Sequence, residues 1–265
     1  MSTVKYAALV GWIVLVGCGG DPGSTFDAGS IDPFTGGDGG KMGDLSKKDG
    51  GADGGGDMCN PSFTGVLRDF HDTHPDFEKT IDDDRGIVKV DLGGDDKPVY
   101  ASATNTPTTA GKASFDQWYR DVQGVNARVV YTLPATKAQD GSWVYDNGLF
   151  FPLDGQAFGN EGRNHNFHFT FELHSEFSYK GGEVFTFTGD DDVWVFINRK
   201  LAVDIGGVHG AESVTIKLDD EAGKLGIQTG KTYDFAIFQA ERHTTDSNFR
   251  MQTSIGFTNC NPILR

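Results

Sequence analysis

The sequence predicts an all-β fold, a single β-sandwich carrying one short helix. Three observations lead there. From Ser62 onward, aromatic and β-branched residues recur in short runs bounded by Gly, Asp, Asn and Pro, the pattern of many short strands. In FHFTFEL, Phe167, Phe169, Phe171 and Leu173 fall on one face and His168, Thr170, Glu172 and His174 on the other, the period of two that a strand imposes. No second composition break follows residue 62, so residues 58–265 are predicted to be one domain.

The segments that precede the domain have other roles. Lys5 leads into the apolar run YAALVGWIVLVG, about a dozen residues and too short to span a bilayer comfortably, so 1–17 reads as a signal peptide. Leu15, Val16, Gly17 and Cys18 resemble the bacterial lipobox, which implies cleavage and acylation at Cys18 and a lipid-anchored chain in the cell envelope, at the outer membrane or cell surface. Residues 18–57 are dominated by Gly and Asp, have almost nothing to bury, and read as a disordered linker with a mean reach of roughly 35 Å.

Within the domain, strands are predicted near Val66 and from Ile87, Ala127, Asn166, Val184, Val193, Leu201, Val214, Tyr233 and Phe249. SFDQWYRDV supplies the helix. Ser114 is its candidate N-cap, with Gln117 three residues on, and Phe115, Trp118, Tyr119 and Val122 share a helical face expected to plug one end of the sandwich.

Charge excludes one class of partner. The chain has 23 Lys plus Arg against 38 Asp plus Glu, a net charge of -15, which repels nucleic-acid phosphates and anionic lipid. With Cys18 acylated, Cys59 and Cys260 remain in a compartment where disulfides persist, and they are expected to pair, closing a loop of about 200 residues.

Two runs of three carboxylates then need explanation. Asp82, Asp83 and Asp84 are followed by Arg85 and Gly86, and a solvated turn with a partial countercharge accounts for them. Asp190, Asp191 and Asp192 lie instead between two apolar strands, VFTFT and VWVFI, where desolvation penalises adjacent negative charges. On the residues alone, an acidic solubilising turn and a calcium site built from oxygen ligands are equally open.

Several separated motifs carry a family resemblance: RDFHDTHPDFE at 68–78, FDQWYRDVQGVN at 115–126, FFPLDG at 150–155, HNFHFTFELHSEF at 165–177, Phe187 to His209, and AERHTTDSNF at 240–249. Together they closely resemble the bacterial fibro-slime domain of the PA-fourteen superfamily, the protective-antigen-like β-sandwich. The resemblance implies that Asp190 and Asp191 stand where the carbohydrate-binding members use two Asp residues, joined by a cis peptide, to hold calcium against sugar hydroxyls. Asp192 stands where many members have Gly. Asp246 and Asn248 in TTDSN are the candidate further oxygen donors, and Arg199 departs from the Asn-Gly hairpin pattern, predicting a strained or wider turn after Asn198.

The remaining motifs add little chemistry. His168, Glu172 and His174 share a strand face but span too far to meet one metal ion, so an exposed polar face is expected; His209 and His243 are expected to pack or hydrogen-bond beside the acidic loop. No G-x-S-x-G elbow or H-E-x-x-H occurs, and no enzyme is expected. The expected function is therefore calcium-dependent binding of glycan or extracellular matrix. A structural slime or fibre component, in which the acidic loop only orders the fold, is the alternative.

Overall fold

The computed structural model describes residues 63–259 and 261–265. The predicted signal peptide, Cys18, the linker, the domain start at 58 and the Cys59–Cys260 pairing lie outside the described residues.

In chain order the strands begin with β1 (Phe63–Phe70) and β2 (Asp82–Asp83), followed by helix α1 (Lys112–Phe115). Next come β3 (Asn126–Leu133), β4 (Thr136–Lys137), β5 (Trp143–Asn147) and β6 (Phe169–Tyr179). The acidic turn joins β7 (Val184–Gly189) to β8 (Asp192–Ile197), and β9 (Lys200–Ile205), β10 (Gly207–Val208) and β11 (Glu212–Lys217) follow. Helix α2 (Leu218–Leu225), β12 (Lys231–Glu241) and β13 (Phe249–Thr253) complete the chain.

The strands form two large antiparallel sheets, one of six strands in the order β3-β1-β6-β12-β8-β9 and one of five in the order β11-β7-β13-β5-β4, and a two-stranded pair, β10-β2. Alternation explains the packing. Phe169, Phe171 and Leu173 of β6, Val193, Val195 and Ile197 of β8, and Phe235 and Ile237 of β12 share one core with Phe185, Phe187, Phe249 and Met251 of the facing sheet. Aromatic pairs bridge the layers, Phe185 to Phe235 at 5.4 Å and Phe171 to Phe249 at 5.8 Å between ring centroids, both edge-to-face. The β-sandwich expected from the sequence is therefore the observed fold.

The outer face of the six-stranded sheet is also covered, which corrects two expectations. Trp194, Phe196, Phe238, Ala236 and Ala240 pack there against Ile87, Tyr100, Phe115, Trp118 and Tyr119. Trp118 lies 6.1 Å from Trp194 and Phe115 lies 5.9 Å from it, so the 112–119 segment lies across a sheet face and does not plug an end. The regular helix is shorter than predicted: Gly111 is its N-cap, and Ser114 sits inside it, donating its hydroxyl to the Gly111 carbonyl at 2.9 Å.

That covering layer also buries the face expected to be exposed. His168, Glu172 and His174 are 2%, 1% and 7% exposed. Glu172 accepts from Arg68 Nη1 at 2.7 Å, pairs closely with Lys97, and lies 2.6 Å from His174 Nε2; His168 Nε2 lies 2.8 Å from Glu78. Buried charges persist only when paired in this way.

Other differences are local. The run from Ile87 forms only isolated bridges, Val88 to Tyr100 and Asp91 to Lys200, because it crosses the sheet surface without joining a ladder. The Asn198–Arg199 turn is not wide: Ile197 pairs with Lys200, and both turn residues take positive φ, 50° and 64°. Asn198 compensates by donating Nδ2 to the Leu225 carbonyl at 2.8 Å, and Arg199 by bonding to the Gly93 carbonyl at 2.5 Å.

Candidate functional site

The β7–β8 turn opens the loop end of the sandwich, and its position follows from close packing. A Cβ on Gly189 would meet the Asn248 carbonyl at 2.8 Å, so glycine there lets the start of β13 lie directly against the turn. Asp190 is 4% exposed and accepts two bonds from Asn248: its backbone N–H at 2.6 Å on Oδ1 and its Nδ2 at 2.6 Å on Oδ2. Asp191, also 4% exposed and at φ 49°, accepts the backbone N–H groups of Arg242 at 2.8 Å and His243 at 3.1 Å on Oδ2. No cis peptide occurs among the described residues, so the cis bond implied by the family resemblance is not present.

Asp192 is occupied differently. It is fully buried, bonds Arg242 Nε through Oδ2 at 2.5 Å and accepts the Gly207 N–H through Oδ1 at 2.8 Å. Arg242 is itself fully buried: Nη1 donates to the carbonyls of Asp76 (3.1 Å) and Thr108 (2.7 Å), and the guanidinium lies 4.8 Å over the Trp118 ring. One cation thus neutralises the acid that points inward, while the first two acids of the run face a cavity of about 160 Å³. Ile81, His209, His243, Thr244 and Asp246 also line that cavity.

The electrostatics are unfavourable for carboxylates without a further cation. Burial pushes the Asp191 carboxyl up to about 8, against the pull of Arg242, and Asp192 and Asp190 add to the rise. Burial likewise raises Asp190, against its bonds from Asn248, and Asp192, against its pairing with Arg242. Glu241, at the end of β12, is the residue that sequence reasoning missed. It is fully buried, and burial together with Asp191 and Asp190 raises it well above the ordinary range, against the pull of the Ser247 hydroxyl. Its only signal in the sequence is that Glu241 breaks the apolar phase of YDFAIFQ one step beyond Gln239.

Of the predicted oxygen donors, Asn248 is bound to Asp190 and Asp246 shares the cavity lining. Asp246 does not form a three-carboxylate group with Asp190 and Asp191 whose ligand atoms all lie within 4.8 Å of one another. Among the described residues, the three-residue group of His and carboxylate side chains whose ligand atoms lie within 4.8 Å of one another is Asp83, His209 and Glu212. A calcium ion at Asp190 and Asp191 would therefore complete its six to eight oxygens from the loop backbone, amides and water.

The PA14 domain family profile matches residues 151–263, which include the acidic turn and both flanking strands. The chain carries a PA14 domain. Relatives from Dictyostelium discoideum extend the likeness: protein psiD is 41% identical over 187 residues, covering 65% of this chain and 36% of psiD, and protein psiQ is 41% identical over 189 residues, covering 66% and 19%. This chain therefore spans little more than a third, or less, of the length of these curated relatives. Among solved structures, a PA14 sugar-binding domain from an RTX adhesin aligns over 76% of this chain and 94% of its own, at 7% identity and a TM-score of 0.30. The PA14 domain of the MpAFP antifreeze protein aligns over 46% and 73%, at 9% identity and a TM-score of 0.30.

Proposed function

We propose that this PA14 domain is a non-catalytic binding module of the cell surface or extracellular space, and that calcium held by Asp190 and Asp191 presents its site to glycan hydroxyls or extracellular matrix. The carrying observation is the uncompensated acid at the loop end. Asp190 and Asp191 line an open cavity, and the buried Glu241 carboxylate, close enough to both to be raised by their charge, stands behind them. Hard oxygen donors with more negative charge than local cations suit calcium, which neutralises them and keeps coordination positions for outside hydroxyls. No helix of the described residues is long and apolar enough to cross a membrane, and envelope attachment in this reading rests on acylation of Cys18.

One observation favours the structural alternative. The same carboxylates accept the N–H groups of Arg242, His243 and Asn248, so they also tie the β7–β8 turn to both ends of the β12–β13 connection without a ligand. Calcium titration of the purified chain beside Asp190→Ala and Asp191→Ala, followed by glycan-array binding with and without chelator, separates the two. Calcium-dependent glycan capture lost in both variants supports the proposal. Absence of calcium binding in the intact chain overturns it, and calcium binding with no glycan capture assigns the loop to architecture.

A further inference from the structure

We infer that Asp83, His209 and Glu212 form a second cation site, selective for a borderline divalent metal of the zinc class, beside the Asp190–Asp191 cavity and independent of the calcium reading. The three residues come from three strand ends that the backbone forces together. Strand β2 pairs with β10 in the register Gly207 to Asp83 and Val208 to Asp82. A Cβ on Gly207, at φ 124°, would meet the Asp82 carbonyl at 2.5 Å and the Asp84 N–H nitrogen at 2.6 Å, so glycine is what admits the acidic segment. The next residues in the chain bring His209 and then Glu212, the first residue of β11, to the same point.

Their ligand atoms, one ring nitrogen of His209 among them, lie within 4.8 Å of one another. Two ligands on a tetrahedral zinc ion at bond lengths of about 2.0–2.2 Å are roughly 3.3–3.5 Å apart, so small side-chain rotations close the site. The histidine supplies the independent signal. Its side chain is 9% exposed, Nδ1 lies 2.9 Å from the Gly210 carbonyl, and the buried Nε2 has no hydrogen-bond partner among the described residues. An Nδ1–H donated to a backbone carbonyl is the usual way a metal-binding imidazole is oriented, because it fixes the lone pair on the other nitrogen.

Charge distinguishes this place from an ordinary surface pair. Glu212 already spends Oε2 on Arg85, which leaves Oε1 on the His209 side, while Asp83 is exposed and open to an incoming ion. One nitrogen with two carboxylates favours zinc or cobalt(II) over calcium, which takes oxygen ligands, and water fills the fourth position.

Zinc chloride titrated calorimetrically into the full chain, after chelator treatment, tests the inference. One zinc ion per chain is expected, with binding lost in His209→Ala and weakened more than about tenfold in Asp83→Asn, whose exposed side chain leaves the fold intact. Asp190→Ala should keep the zinc affinity within about twofold, and excess calcium should not displace the metal. Cobalt(II) should give visible ligand-field absorption that disappears in the His209 variant. No zinc binding, undiminished binding in His209→Ala and Asp83→Asn, or loss of binding in Asp190→Ala with Asp83→Asn unaffected overturns the assignment.

Discussion

Replacing Arg242 by Met should destabilise the domain far more than replacing any exposed arginine. In the folded state Arg242 is fully buried, holds Asp192 at 2.5 Å, and donates to the carbonyls of Asp76 and Thr108 and to Thr108 Oγ1 at 3.1 Å. Its loss leaves Asp192, also fully buried, with only the Gly207 N–H. Breaking one side of a buried pair costs about 3–5 kcal/mol, because the remaining charge must be neutralised or left uncompensated. For a domain of this size each kcal/mol lowers the melting temperature by about 2–4 °C, so a fall of roughly 6–20 °C is expected. Arg250→Met is the internal control. Its Nε lies 3.1 Å from Asp146, with the two side chains 34% and 61% exposed, and such pairs contribute about 0–1 kcal/mol. Thermal unfolding followed by circular dichroism reads both variants. Adding Asp192→Leu to Arg242→Met should recover part of the loss, since two apolar partners leave no stranded charge. Equal melting temperatures for the Arg242 and Arg250 variants would refute the claim that this pair holds the loop end.

Other predictions concern the acids around it. Asp191 titrates near 3.8 when unfolded and is pushed up to about 8 by burial when folded, so between those values the native state keeps a proton that the unfolded state has lost, and stability falls as pH rises. Above pH 6.5 this slope is not masked by His74, which burial lowers and whose opposite contribution acts only below its ordinary value, nor by Glu172, whose lowered carboxyl acts below 4.5. Urea midpoints measured with chelator should therefore report a loss of up to about 2 kcal/mol from pH 6.5 to 8. Asp191→Asn should reduce that slope, the raised Glu241 carboxyl keeping the remainder, and a midpoint that rises across the window contradicts it. Saturating calcium should also reduce it by taking the place of the proton, read in the same titration. Gly207→Ala should cost at least 1–2 kcal/mol, from the positive φ and the clash with Asp82 and Asp84, and should abolish zinc binding with them. Proteolysis near Asp82 should accelerate in that variant, and unchanged cleavage would mean that the β2–β10 pairing is dispensable.

The strand pattern made the fold legible. Alternation in FHFTFEL and VWVFI states which residues face inward, and the two sheets follow from burying those faces. The acidic turn was legible for the same reason: three carboxylates between two apolar strands require some countercharge. What the sequence by itself determined was thus the β-sandwich and the place of Asp190 and Asp191 at a strand end.

Tertiary structure decided which acid received which partner. Arg242, 50 residues beyond Asp192 and just past the end of β12, turns inward and claims that carboxylate, while Asp190 and Asp191 face the cavity. Glu241 gave little local signal because its neighbours become acidic only across the sheet. Asp82–Asp84 reads in isolation as a solvated turn; pairing with Gly207 places Asp83 beside His209 and Glu212, and Asp84 accepts the Thr108 N–H at 3.0 Å. The polar face of β6 looked exposed because alternation specifies two faces but not what covers the second one. Period and propensity are local and survive in a single sequence, whereas pairing of charges depends on distances set only when segments 50 or more residues apart, such as Asp192 and Arg242, are brought into contact.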